Sequence, residues 1–314
     1  MSMENTISQD KNAQAKTSQN ATPNEKYTAL KEYLQSFDNM AVAFSGGVDS
    51  TLLLTAAVEA LGADRVLAVT AASLFFPLRE KDESVAFCEQ LGVRQVVVQK
   101  DVMAIPGVPE NGPDRCYHCK LALFQDLQCI ATENGFTAVC EGSNMDDNGD
   151  YRPGLIAIAE LGVKSPLRHV GLYKSEIREL SKELGLPTWK KPAFACLASR
   201  VPYGEPLTDA KLDRIGKAEE KLVQLGFGNM RVRDHNDGEV ARIELEGADI
   251  QRIMEPETAA DVDEYFKQLG YTYVAVELTG YKTGNLNRQI AAEELAEESK
   301  KQESFARGAD APES

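Results

Sequence analysis

The chain has 314 residues, enough to bury a substantial core, and its 49 Asp and Glu outnumber 34 Lys and Arg to give a formal charge of −15. That excess opposes long-range attraction to nucleic acid or anionic lipid and favours a small-molecule substrate. No apolar run approaches the roughly 20 residues of a membrane span, and the first 25 or so residues lack the apolar core of a secretion signal, so a soluble, cytoplasmic protein is expected.

Residues 1–25 are rich in Ser, Thr, Asn, Gln and Lys and cannot repay the entropy of ordering, which predicts a flexible arm. A helix is expected over 27–35, a buried strand over 40–44 and a helix over 51–61. Between strand and helix lies Ser45-Gly46-Gly47-Val48-Asp49-Ser50. Two glycines let the backbone bend so that its N–H groups converge on an anion. The serines add hydroxyls, and the helix opening at Ser50 points its positive end at the same spot. The pattern predicts an ATP site with pyrophosphate as the natural occupant and Ser45, Gly46, Gly47, Asp49 and Ser50 as contacts. Asp49 supports Mg²⁺, or else caps the turn. The lysine of the Gly-x-x-x-x-Gly-Lys-Ser/Thr loop is absent, so this is not an ordinary P-loop.

Strands are expected at 65–70, 93–99 and 138–141 and helices at 80–91 and 174–184, an alternation that predicts an α/β fold with a doubly wound, mostly parallel sheet over about 26–205. Thr208 caps a helix reaching 225. Strands at 229–233 and 239–244 joined through Asp237-Gly238, helices near 248–254 and 259–269 and a strand at 271–278 then make a smaller α+β domain over 206–289. An acidic flexible tail, 290–314, closes the chain with seven acids against three bases from Ala291 onward.

Six cysteines without a secretion signal point to metal or catalytic sulfur rather than a disulfide scaffold. Cys116-Tyr117-His118-Cys119 is expected just before a helical stretch, 120–129, and Cys196 follows Lys191-Pro192-Ala193-Phe194-Ala195. Connections at the carboxyl ends of a doubly wound sheet face one crevice, so these segments can meet over the nucleotide. Several readings stand: zinc with His118, a redox couple, a cluster whose fourth iron is open to sulfide, or Cys196 as a direct nucleophile. Cys88, Cys129 and Cys140 read as core. Lys120 and Arg200 are candidate clamps on substrate anions, or else surface charges. Arg231 and Arg233 project from one strand face and suit a phosphate or an oligomer contact, or are simply exposed. His235 has no assigned role.

The turn resembles the PP-loop of the ATP pyrophosphatase superfamily, whose members cut ATP between the α and β phosphates and leave AMP on a substrate oxygen. Lys174, in Lys174-Ser175-Glu176-Ile177-Arg178, matches a lysine near the phosphates in those enzymes. Asp114-Arg115-Cys116-Tyr117-His118-Cys119-Lys120, Glu141-Gly142-Ser143-Asn144, Asp150-Tyr151-Arg152-Pro153-Gly154 and Ala195-Cys196-Leu197-Ala198-Ser199-Arg200-Val201-Pro202-Tyr203-Gly204 occur in that order. Together they resemble the LarE family over about 27–288.

The resemblance implies an ATP- and Mg²⁺-dependent sulfurtransferase that converts pyridinium-3,5-biscarboxylic acid mononucleotide to its bis-thiocarboxylate, the precursor of the nickel-pincer nucleotide of lactate racemase. It also implies Gly142 in the nucleotide site, a homo-oligomer, and Arg231 and Arg233 on the mononucleotide phosphate. Some members of that family sacrifice a cysteine, matched here by Cys196. Others carry three cysteines for a 4Fe-4S cluster, matched by Cys116, Cys119 and Cys196, which places the cluster ahead of zinc. Transfer RNA thiolation, which some three-cysteine PP-loop enzymes perform, needs a basic track that this chain lacks. An amidotransferase of the NAD synthetase type leaves the thiols without a task, and an idle nucleotide- or metal-binding regulator leaves both turn and thiols without one.

Overall fold

The computed structural model describes residues 21–76, 78–147, 153–192 and 196–282. The expected flexible tail, most of the expected arm, and the Asp150-Tyr151-Arg152 and Phe194 positions fall outside them. Helix α1 spans Pro23–Leu34 and starts four residues before the expected position. Thr22 and Glu25 form a reciprocal capping box and Pro23 supplies a preset first-turn φ, which offsets the polar composition that suggested an arm to residue 25.

Strands β1 (Met40–Ala43), β2 (Val66–Ala72), β3 (Arg94–Gln99) and β4 (Ala138–Cys140) form one parallel sheet in the order β3-β2-β1-β4. Lys164 extends the β4 edge, accepting from Glu141 N–H and donating to Val139 O, each at 2.9 Å. The pleat sends alternate residues to opposite faces. Met40, Val42, Val66 and Ala68 pack against α1, α2 (Val48–Leu61) and α3 (Leu78–Leu91). Ala41, Leu67 and Val69 pack against α4 (Arg115–Glu133) and α5 (Pro153–Glu160). Both faces are therefore covered, as expected of a doubly wound α/β fold, and α2 is apolar on nearly every side because it is enclosed by the sheet, α1 and later helices.

A short helix α6 (Pro166–His169) leads to α7 (Lys174–Glu183), which lies on α1 and α2. Helix α8 (Asp209–Gln224), capped by Thr208, then packs on a second sheet, β5 (Met230–His235), β6 (Val240–Leu245) and β7 (Tyr273–Val276). There β5 and β6 are antiparallel through a turn with positive φ at Asn236, Asp237 and Gly238, and β7 is parallel to β6. Helices α9 (Gly247–Ile253) and α10 (Pro256–Gln268) complete a core of Leu222, Val232, Ile243, Leu245, Val262 and Phe266. Among the described residues, no helix is long and apolar enough to cross a membrane.

Candidate active site

The phosphate turn is built where β1 stops. Phe44 N–H donates to Val69 O at 2.9 Å and Thr70 Oγ1 to Phe44 O at 2.7 Å, so the chain leaves the sheet in a fixed direction. Gly46 takes φ +70°, a left-handed conformation that glycine adopts at little cost. Gly47 occupies the N-cap of α2 and brings no side chain to the first-turn amides, which leaves them and the positive helix end open to an anion. Ser45 Oγ and Ser50 Oγ lie 3.1 Å apart and Ser50 Oγ donates to Gly47 O at 3.2 Å, so two hydroxyls rim the turn.

Asp49, in the first turn of α2, forms a tight ion pair with Lys174 and accepts from Asn144 Nδ2 at 3.2 Å. Lys174 opens α7, and its backbone N–H donates to Asp146 at 2.6 Å. The buried Lys26 ammonium of α1 sets the pose of α7 by holding Glu176 at 2.7 Å and Gly171 O at 2.8 Å. Gly142 closes the floor: a Cβ there would stand 3.1 Å from Ser50 N and 3.3 Å from Asp49 Cβ. Glu141 is buried beside it and accepts from Ser143 N–H at 3.0 Å, Ser143 Oγ at 2.8 Å and Ser165 Oγ. Segments far apart in sequence thus bring Ser45, Gly46, Gly47, Asp49, Ser50, Gly142 and Lys174 together.

Cys116 and Cys119 stand in the first turn of α4 rather than before it, and their spacing of three places both on one helix face. Arg115 is 2% exposed and donates to Ala198 O at 3.0 Å, to Cys116 Sγ at 3.7 Å and to Asn111 Oδ1. Asn111 Nδ2 donates to Pro202 O at 2.8 Å and Glu205 O at 2.9 Å, while Gly204 N–H returns to Asn111 O at 3.0 Å. Leu197 N–H bonds Phe75 O at 3.0 Å, just past β2. These bonds fasten 109–115 against 196–207 and bring Cys196 into electrostatic contact with Cys116 and Cys119, beside an apolar wall that includes Phe75, Val108 and Leu197.

Burial pushes the Cys119 thiol up to about 12, Cys196 and Cys116 push the same way, and Lys120 and Arg115 pull against them. Cys196 is likewise pushed up, by burial first, against the pull of Arg115. Arg115 is held above its usual range, against burial, by the negative charge that Cys116 and Cys196 can carry. His118 pairs instead with Asp114 at 3.0 Å. Lys120 lies over the Phe124 ring at 5.3 Å. Cys88 and Cys140 are buried as expected, but Cys129 is exposed, because the inward face of α4 is taken by Phe124, Leu127 and Ala131.

Three arginines stand elsewhere than expected. Arg200 is wholly buried, neither a surface charge nor open to the crevice: Nε and Nη2 bind Glu219 at 2.7 and 2.9 Å, and Nη1 reaches Cys196 O at 3.2 Å and Ser199 Oγ at 2.9 Å. Arg233 is buried against Glu244 at 2.7 Å and Ser199 O at 2.6 Å. Arg231 is buried with its guanidinium 4.8 Å from the Tyr281 ring centre, and burial together with Arg200 lowers its proton affinity. The face of β5 that carries Arg231 and Arg233 is therefore covered rather than exposed, because Glu219 and Glu244 supply interior counter-charges that a strand pattern does not reveal.

Sequence reasoning passed over Asn144, Asp146, Arg115 and Lys191. All four lie in or beside quoted motifs, which was the available signal. Among the described residues, no group of three or more His, Cys, Asp or Glu is arranged around a single metal ion.

The NAD synthase family profile matches residues 23–106, which carry β1 to β3 and the phosphate turn. An uncharacterized protein of Synechocystis sp. is 40% identical over 265 residues, covering 84% of this chain and 98% of that protein. The pyridinium-3,5-bisthiocarboxylic acid mononucleotide synthase of Lactiplantibacillus plantarum is 38% identical over 276 residues, covering 88% of this chain and 99% of that enzyme. Similarity to the argininosuccinate synthase of Haloarcula marismortui, 30% identical, reaches 47% of this chain and 37% of that one.

Proposed function

Because this chain belongs to the LarE family of pyridinium-3,5-bisthiocarboxylic acid mononucleotide synthases, we propose that it activates a carboxylate of the pyridinium-3,5-biscarboxylic acid mononucleotide with ATP and exchanges the activated oxygen for sulfur. The observation that carries this reading is the tie between its two half-sites: Lys191 bonds the phosphate turn at Gly46 O (3.2 Å) five residues before Cys196, whose charge acts on Cys116 and Cys119.

A substrate carboxylate oxygen attacks the α-phosphorus, the bond to the bridging oxygen breaks, and pyrophosphate leaves. The free amides at the start of α2 and the Lys174 ammonium offset the charge that builds on it. Asp49 and its neighbour Asp146 offer the carboxylate oxygens that a hard cation prefers, and Asp49 would hold Mg²⁺. Adenylation replaces an oxide, which cannot leave, with AMP, which can; sulfur then adds to the carbonyl and the C–O bond to AMP breaks.

The donor set fits a cluster better than a single ion. Three thiols converge from two segments, and Arg115 beside them offsets the negative charge they carry as ligands. Cys116, Cys119 and Cys196 would hold a 4Fe-4S cluster, which when bound supplies sulfide at its open iron. Arg115 offers a positive charge beside the thiols that offsets part of what burial costs them as anionic ligands, and the apolar wall of Phe75, Val108 and Leu197 limits water at the activated carbonyl. The same reading carries a homo-oligomer, which light scattering would test.

The test is anaerobic reconstitution with iron and sulfide, then a count of thiocarboxylates formed per chain by wild type and Cys116→Ala. Many turnovers in the wild type, lost in the variant, are expected. A single turnover that leaves Cys196 lighter by one H₂S would instead make Cys196 the sulfur source.

A further inference from the structure

Lys191 belongs to neither the phosphate turn nor the thiol trio, yet it touches the first and leads to the second. Its side chain is 13% exposed; the ammonium donates to Gly46 O at 3.2 Å and pairs with Glu80 at 2.7 Å and Glu83 at 2.5 Å. Gly46 is the left-handed pivot of the turn, and a Cβ on it would stand 3.5 Å from Glu80 O and 3.7 Å from Ser84 Cβ, so α3 lies against it. A trans peptide unit is planar, with its C=O and N–H pointing to opposite sides. Holding the Gly46 carbonyl from behind therefore turns the Gly47 N–H to the opposite side, the rim of the turn, where it makes a long contact of 3.4 Å with Ser45 Oγ and the two donors face the same space.

The main chain at Lys191 is itself fixed. Arg178 of α7 donates to Trp189 O at 2.7 Å and to Lys191 O at 2.8 Å, and Lys191 N–H closes on Thr188 O at 2.9 Å. Five residues later comes Cys196, within a span of at most about 18 Å. One side chain thus holds to the phosphate turn a point of the chain no more than that span from Cys196.

We propose that Lys191 is a positioning residue for both half-reactions: it fixes the Gly46–Gly47 peptide so that the Gly47 amide and the Ser45 hydroxyl face the departing pyrophosphate, and it helps hold that turn in register with the segment that leads to Cys196, so that the acyl-adenylate forms within reach of sulfur. This rests on the function proposed above. Standing behind the turn, Lys191 differs from the lysine of an ordinary P-loop, which reaches the phosphates themselves.

The experiment compares wild type, K191R, K191M and K191M/E80Q by ATP binding in a calorimeter, by ATP–pyrophosphate exchange with the pyridinium biscarboxylate mononucleotide, and by thiocarboxylate formed per AMP released. E80Q removes the charge of the buried carboxylate that loses its Lys191 partner in K191M, and the melting temperature reports whether the double variant folds where the single one fails. K191M/E80Q should melt like the wild type, bind ATP about tenfold more weakly, the loss expected for one charge-assisted hydrogen bond, and raise the KM for ATP by the same factor. Its thiocarboxylate-to-AMP ratio should also fall, because adenylate formed out of register is hydrolysed, and K191R should recover most of both. A lysine with a merely structural role would lower the melting temperature and the active fraction while leaving the KM for ATP and the product ratio unchanged, which would overturn the proposal. A wild type that binds ATP but shows no exchange with the mononucleotide would sink the functional reading instead, and the ATP affinities would still decide the role of Lys191 at the turn.

Discussion

Replacing Gly142 with alanine tests how closely the loop after β4 must approach the phosphate turn. The added methyl carbon would lie 3.1 Å from Ser50 N and 3.3 Å from both Asp49 C and Asp49 Cβ, a few tenths of an ångström inside ordinary contact. Two of these neighbours are backbone in the first turn of α2, so relief requires the anion-binding amides or the loop to move. Overpacking of this size costs about 1–3 kcal/mol, enough to lower the melting temperature by several degrees. Misplacing a reacting group by 1 Å can cost about a hundredfold, so a shift of a few tenths should cost roughly five- to tenfold in kcat/KM for ATP. Gly228→Ala is the control, since a Cβ there meets nothing within 4 Å. Both variants are assayed by pyrophosphate release and by thermal melting. G142A with wild-type kcat/KM and melting would show that the close approach places no constraint on the turn.

Three further outcomes are expected. Asp49→Asn removes the partner of Lys174 and a carboxylate oxygen at the turn, and should raise the Mg²⁺ needed for half-maximal rate and lower kcat tenfold or more; an unchanged Mg²⁺ titration would leave Asp49 as a helix cap alone. Glu219 is buried: burial pushes its pKa up, but the Arg200 charge and hydrogen bonds outweigh this and hold it below the ordinary carboxylate range. The stability it contributes is therefore fully present above the unfolded carboxylate range and is lost as pH falls through the lower folded value. E219Q should cost about 3 kcal/mol at neutral pH by stranding Arg200 and should flatten the acid limb of stability followed by circular dichroism; an acid limb like that of the wild type would contradict this. Cys129 is exposed and away from the thiol trio, so C129S should remove the fastest-alkylating thiol, read by mass spectrometry, without changing turnover, and a drop in turnover would place Cys129 in the chemistry.

The alternating strands and helices of the nucleotide-binding half were legible because each is a local signal: an apolar run, a Gly-Gly turn, a helix that stops at Gly and Pro. The phosphate turn was legible for the same reason, since Gly46 and Gly47 have little other cause to follow a buried strand. What escaped depends on partners distant in sequence. Arg231 and Arg233 read as one exposed strand face because Glu219 and Glu244, their interior counter-charges, lie on another helix and another strand. Cys116 read as preceding its helix because Tyr117 and His118 carry weak helical preference, whereas hydrogen bonds to Asp114 O start α4 there. Lys191 was invisible as a brace, since only the folded chain sets its ammonium behind Gly46. Helix α5 went unread because the run Leu155–Ile158 is buried all round and carries no amphipathic period.

The frame around the three thiols is tied mainly by Asn111, Arg115 and main-chain carbonyls; among the described residues, thiol sulfur enters it through the long contact from Arg115 to Cys116 and a backbone hydrogen bond from Ala198 to Cys196. Most of these fastenings would therefore survive the gain or loss of a cysteine side chain, and the loops that display the thiols would need little refitting. A lineage built on such a frame is free to change how it carries sulfur, from an expendable residue to a renewable carrier or back, while keeping the same activation machinery next door.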